Sequence, residues 1–206
     1  MASKNKFHAF KRDIDRNSVE ENKSILIVCE GEKTEPLYFD SFDVYSVSVK
    51  VKGTGKNTET LVDEALRYKD EYDEIWCVFD KDSFQARQFN NACQKAKSNG
   101  LKLAYSNESF ELWYILHFQF LQSQLNRKQY IRTLNQEFSR RFNRQYRKND
   151  SETYYLLKDY QNTAIKNAKR LTSFYSQGTT PANQFPVTYV YELVEELNRW
   201  SRKNRW

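Results

Sequence analysis

Cysteine, histidine and long apolar runs are all scarce in this chain, and each scarcity closes off a class of function. Three cysteines occur among 206 residues, Cys29, Cys77 and Cys93. Their odd number and the lack of a CxxC pair argue against a disulfide framework or a zinc site, and for a reducing compartment. Cys29 and Cys77 sit in apolar runs, where a thiol acts as a small hydrophobe. Of the two histidines, His8 lies in a polar stretch and supports no metal motif. His117, between Leu116 and Phe118, reads as a packed core histidine, with proton transfer as the alternative. No apolar run approaches the ~20 residues that span a bilayer, so no membrane partner is expected. The N-terminal stretch is polar and has no signal-peptide core, which points to the cytoplasm. There is no internal repeat and no low-complexity tract. The loop over 52–57 lacks the GxxxxGK[ST] spacing, with Asn57 where Ser or Thr would hold magnesium, so ATP binding is not expected.

What the chain has in quantity is charge and aromatic surface. Lys and Arg number 33 against 27 acids, a formal net charge of +6, and aromatics make up 16%. A basic balance favours polyanionic partners through long-range attraction and counterion release. Flat side chains suit both core filling and base stacking. The length allows one good-sized domain, or one with an appended helical subdomain.

The order of apolar segments sets the expected architecture. Residues 1–23 alternate charged and polar groups and read as a loosely ordered arm. Residues 25–29 form a continuous apolar run, the mark of a strand covered on both faces. Pro36 then opens a helix with Leu37, Tyr38, Phe39 and Phe42 on its apolar face. A strand at 44–51, a helix through Leu61–Tyr68, a strand at 75–79, a helix at 83–98 closed by Gly100, and a strand at 101–105 follow. From Ser109 onward only helices are expected, over 110–118, 127–146, 153–175 and 188–204. The fold class is therefore α/β: a doubly wound parallel sheet over 24–118 flanked by helices, with an all-helical C-terminal subdomain over 119–206 packed on it.

Two apolar strands end on acid. Glu30 follows the first, and Asp80 and Asp82 follow the third. Open parallel sheets bind ligands off the carboxyl ends of their strands, so the three carboxylates converge on one edge. Three such groups repel unless a cation joins them, and hard oxygen ligands suit Mg2+ or Mn2+. A cation of this kind polarises phosphate and acidifies water, as phosphodiester chemistry requires. The competing reading makes Asp80 or Asp82 a helix cap and Glu30 a helix-favoured acid.

These residues also carry a family resemblance. The run 25–36, with Glu30-Gly31-Glu32-Lys33-Thr34-Glu35-Pro36, resembles the opening motif of the RloB family. Val78-Phe79-Asp80-Lys81-Asp82 is similar to its DxD motif. Asn107 with Phe110-Glu111-Leu112-Trp113 and Leu116-His117-Phe118 resembles its third motif, with Glu108-Ser109 where a Pro-Cys pair often stands. Pro186-Val187-Thr188 and Tyr191-Glu192-Leu193-Val194 are similar to its closing helix motif. The resemblance spans about 24–197. It implies a Toprim-like fold and association with restriction and phage-defence loci. It further implies that Glu30 is a general acid/base or the ligand of a second metal, and that Asp80 and Asp82 bind the principal magnesium. Glu111 is then either a fourth acid at the same edge or a first-turn acid that complements the helix dipole. Glu35 reads as a first-turn helix acid, and Lys33 as a cation for a scissile phosphate or a solvated loop lysine.

Five cations crowd 140–148, namely Arg140, Arg141, Arg144, Arg147 and Lys148, with Arg127, Lys128 and Arg132 upstream on the same expected helix. Their spacing would line one stripe, with Phe142 and Tyr146 beside it, as backbone tracking and base stacking use. The plain alternative is a solvated helix face. Arg199, Arg202, Lys203 and Arg205 among Trp200 and Trp206 would extend that surface. Lys52 and Lys56, with two glycines before a helix, offer amides and charge to a backbone phosphate; the alternative is an ordinary βα turn. The leading expectation is thus an Mg2+- or Mn2+-dependent Toprim-type endonuclease acting on RNA, tRNA included, or DNA, in antiphage defence. An ATPase or other defence protein as activating partner, and a homo-oligomer, are both compatible with it. The second expectation is a non-catalytic module that binds nucleic acid or a partner and whose acids are structural.

Overall fold

The computed structural model describes residues 23–45, 47–55, 58–82 and 84–201. Most of the expected N-terminal arm (1–22), Lys56, and the basic tail from Arg202 onward lie outside them. Strand β1 (Lys23–Cys29) is followed by α1 (Thr34–Asp40), β2 (Val47–Gly53), α2 (Thr58–Leu66), β3 (Glu74–Val78), α3 (Ala86–Ser98) and β4 (Lys102–Leu103). The four strands are parallel in the order β2-β1-β3-β4, which puts β1 and β3 side by side at the centre.

That placement explains why these two strands read as unbroken apolar runs. Side chains alternate faces along a strand, and here both faces are covered. Ile25, Ile27, Cys29, Trp76 and Val78 enter one core, with Tyr38 and Phe39 of α1 and the helices beyond residue 110. Leu26, Val28, Ile75, Cys77 and Phe79 enter the other, with Leu61 and Val62 of α2 and Phe89, Ala92 and Cys93 of α3. The result is the Toprim-like α/β architecture, a parallel sheet with helices on both faces and further helices at the C-terminus.

The second half packs directly on the sheet. Helices α4 (Glu111–Leu116), α5 (Arg127–Phe142), α6 (Thr153–Leu157), α7 (Gln161–Thr172) and α8 (Val190–Arg199) supply Trp113, Tyr130, Leu134, Leu157, Leu171 and Leu193 to the first core. Three expectations are corrected here. Strands do not stop at Ser109, because Val187–Thr188 (β6) pairs antiparallel with Ser106–Asn107 (β5). The long helix expected over 153–175 is two helices joined by a 3-10 turn at Lys158–Tyr160. The helix expected over 127–146 ends at Phe142, because Asn143 adopts the left-handed conformation (φ 52°) that closes a helix.

Candidate metal-binding active site

Adjacent parallel strands bring their carboxyl ends together, and the hydrogen bonds past those ends set the site. The Glu30 amide donates to Val78 O (2.9 Å), and the Asp80 amide donates to the Glu30 carboxylate Oε2 (3.2 Å). Asp80 continues beside Ser106 in a parallel bridge, so its side chain is held at the same edge. Asp82 follows with φ 36°, and its amide donates to Glu108 O (2.9 Å), which turns the chain back towards the cleft.

A cleft of about 480 Å³ opens at this edge, a volume within the range of ligand pockets. Glu30, Glu32, Glu35, Asp80, Asp82 and Glu111 line it against Lys33, Arg127 and Lys148, six carboxylates to three cations. The sequence-derived trio of Glu30, Asp80 and Asp82 is therefore together in one place. Glu111, in the first turn of α4, joins them rather than serving only its helix: it is 2% exposed, and its Oε2 has no hydrogen-bond partner.

Two members were not anticipated as members. Glu35 was expected to act only as a first-turn acid; it does begin α1, but its side chain is buried in the cleft. It fits there because Gly31 leaves room: a Cβ at Gly31 would stand 2.8 Å from Glu35 Cδ. Arg127, taken as part of a basic stripe, points instead into the acids. Its Nη2 donates to Asp80 Oδ2 (2.8 Å) and its Nη1 to Asp82 Oδ2 (2.9 Å), and its Nε lies 3.5 Å from Glu111 Oε2. Its backbone is fixed at the first position of α5 by the Asn126–Gln129 capping box.

Burial sets the electrostatics. Desolvation raises the Asp80 carboxyl well above its ordinary range; the charges of Glu35, Glu111 and Glu30 add to this, and Arg127 opposes it. Desolvation likewise lifts Glu30 to about 7, reinforced by Glu35 and Asp82 and countered by the Asp80 amide and Arg127. Glu35 is raised by burial and by Glu111, against the pull of its own amide, Lys148 and Arg127. Burial alone would depress the Arg127 guanidinium, but Glu111, Asp80, Asp82 and Glu35 outweigh it and raise it. One cation facing this many buried acids leaves the cluster short of positive charge.

That shortage decides whether a divalent cation suits the residues present. Among the described residues no three His, Cys, Asp or Glu side chains are gathered into a metal-ligating group as they stand, and the Arg127 guanidinium bridges Asp80 and Asp82. The donors are nonetheless all oxygen, the acids outnumber the cations, and the buried Glu111 Oε2 accepts no hydrogen bond. The site fits a hard divalent ion.

The basic surface is mostly spent within the fold. Arg140 and Arg141 both bind Glu137 (2.6 and 2.9 Å), and Arg144 binds Asp150 and Glu152. Arg141 also lies over the rings of Phe118 and Tyr160. Phe142 packs against Phe138, and Tyr146 is buried beyond the helix end, so no exposed aromatic stripe runs beside the arginines. Lys33 and Lys148, both exposed, line the cleft; Arg147 is exposed on the same loop as Lys148. Thr34 Oγ1 donates to Asn149 Oδ1 (2.6 Å), which ties that loop to the start of α1. In the described part of the glycine-containing loop, the Thr54 and Gly55 amides are bonded to Cys29 O and Glu30 O (3.0 and 2.9 Å) and so are not free for a phosphate.

Residues 25–197 match the family model described as RloB-like protein. The chain belongs to the RloB-like protein family. The match covers the acidic cleft, the sheet except the first two residues of β1, and the described α-helices except the last two residues of α8. Neither the curated proteins nor the solved structures returned a match to the chain.

Proposed function

We propose that this RloB-like protein is an Mg2+- or Mn2+-dependent nuclease that hydrolyses phosphodiester bonds of RNA, such as tRNA, or of DNA. The observation that carries the reading is the convergence of Glu30, Asp80, Asp82 and Glu111 on one open cleft at the carboxyl edge of the sheet, with a buried oxygen that accepts no hydrogen bond among them. Asp80, Asp82 and Glu111 would hold the cation. When bound, it supplies Lewis-acid polarisation of the phosphate and a more acidic water.

The protein's own groups provide the rest. Glu30 sits outside the Arg127 grip, bonded to the Asp80 amide, with its carboxyl near 7, where a side chain can both take and give a proton. Lys33 and Lys148 at the cleft wall supply charge for the substrate backbone. Hydrolysis adds water across one P–O bond: the hydroxide forms the new bond, and the departing oxygen takes up a proton. The role in antiphage defence, with an ATPase or other defence protein as trigger, rests on the family resemblance.

The test is a panel of end-labelled tRNA, single-stranded RNA, and single- and double-stranded DNA, each incubated with Mg2+, Mn2+ or chelator. Cutting that needs the cation and is lost in Asp80→Ala and Glu30→Gln supports the proposal and identifies the polymer. Intact substrates with a demonstrably loaded metal site would refute it. One observation favours the second reading, a binding module with structural acids: Arg127 already pairs with Asp80 and Asp82. That reading predicts nucleic-acid binding indifferent to chelator and to replacement of both aspartates.

A further inference from the structure

One oxygen each of Asp80 and Asp82 is already in use. Arg127 holds Oδ2 of Asp80 through one nitrogen and Oδ2 of Asp82 through another, and its Nε faces Glu111 Oε2 without a hydrogen bond. The fork is thus spread over three separate carboxylates instead of gripping one bidentately. A guanidinium and a metal ion compete for the same carboxylates, and like charges a few ångströms apart in a half-buried site repel. Arg127 as it stands therefore opposes the ion.

The anchoring shows what can move. The Arg127 backbone is fixed, since its amide donates to Glu108 Oε1 (3.3 Å) and Asn126 caps the helix. The side chain keeps 31% of its surface open to the cleft, against 2% for Glu111. A long arm on a fixed base, open on one side, can leave the acids without disturbing the fold. In the cleft a planar guanidinium meets the group it matches best, a phosphate oxygen pair.

We propose that Arg127 is a displaceable internal counter-ion: it closes the acidic cluster in the metal-free protein, yields the Asp80 and Asp82 oxygens to the divalent cation, and turns to the phosphate of the bound substrate. The proposal rests on the metal reading of the preceding section and adds to it a competition that the metal reading alone does not require. A structural arginine would make the opposite prediction, because its removal would loosen the acids and weaken metal binding.

The experiment is Mn2+ binding followed by calorimetry and by the resonance of free Mn2+, on the full chain and on Arg127→Gln, Arg127→Lys and Asp80→Asn, with circular dichroism confirming the fold. We expect Arg127→Gln to bind Mn2+ at least about tenfold tighter than wild type and Arg127→Lys to stay close to wild type, because like-charge competition is lost only in the first. Arg127→Gln should also raise KM for the nucleic acid. A folded Arg127→Gln that binds Mn2+ no tighter, or more weakly, overturns the proposal. If that variant does not fold, nitrogen NMR of the wild-type Arg127 side chain decides: a guanidinium freed on adding Mg2+ supports displacement, and one that stays restrained refutes it. Binding by wild type that Asp80→Asn abolishes leaves the metal reading standing whatever Arg127 does. Absence of binding by wild type and Arg127→Gln alike overturns both.

Discussion

Gly31 makes room for Glu35: with no side chain at residue 31, the Glu35 carboxylate folds back across the β1–α1 turn into the acidic cleft. A methyl at Gly31 would overlap that carboxylate, yet what it meets is the far end of a flexible side chain and not backbone. Gly31→Ala should therefore fold with a melting temperature near wild type and push Glu35 out of the cleft. Cleavage activity should fall by about tenfold or more, because misplaced charge near reacting groups is expensive in rate. Thermal melts run beside initial rates check this. A fully active Gly31→Ala would show that Glu35 is dispensable to the site.

His117 should make the fold acid-sensitive in a defined window. Its Nδ1 donates to Trp113 O (2.9 Å), while Nε2 is buried without a partner. Burial pushes the ring down from 6.5 to about 4, against the two backbone carbonyls that favour its charged form. The folded pKa lies below the unfolded one, so the unfolded state binds the extra proton. Stability from the neutral ring is complete above about 6.5 and is lost as pH falls towards 4, by up to about 3 kcal/mol. Glu30 works in the opposite direction over part of this range, since its raised carboxyl gains protons in the folded state. The difference in unfolding free energy between wild type and His117→Gln isolates the histidine, and should shrink between pH 6.5 and 4. A difference independent of pH would contradict a buried neutral His117.

The basic residues should separate into two groups by salt dependence. Lys148 lines the cleft, whereas Arg140 and Arg141 are committed to Glu137. Lys148→Ala should weaken nucleic-acid binding and lower the slope of log K against log salt by about 0.7 to 0.9, one phosphate contact. Arg140→Ala should leave that slope unchanged. Arg141→Ala should lower stability by about 1 kcal/mol through loss of its contacts with Phe118 and Tyr160. Equal slope changes for Lys148 and Arg140 would mean that the Glu137 pairs open on binding.

Much of this arrangement is legible in the sequence for a physical reason. Strands β1 and β3 are buried on both faces, so they appear as apolar runs, and the polar residues Glu30 and Asp80 mark where those runs end. Parallel pairing of neighbours then forces those acids together. The pieces that escaped are set by tertiary contact. Arg127 is 47 residues from Asp80, and nothing local distinguishes it from the other cations on α5. Glu35 sits where a helix favours an acid anyway, so its burial leaves no separate mark; Gly31, four residues before it, is the available signal. The end of α5 hangs on Asn143 alone, which adopts a positive φ that asparagine tolerates but does not advertise. Strand β6 has two residues, too few for any alternation to show.

The most direct test of the account is the metal dependence of cleavage itself. Wild-type protein and Asp80→Asn are incubated with end-labelled tRNA while free Mg2+ is raised from chelator-buffered zero. The account predicts strand breaks that rise with Mg2+ to saturation in wild type, vanish on chelation, and are absent in Asp80→Asn. Cleavage that persists in chelator, or that survives in Asp80→Asn, would contradict it.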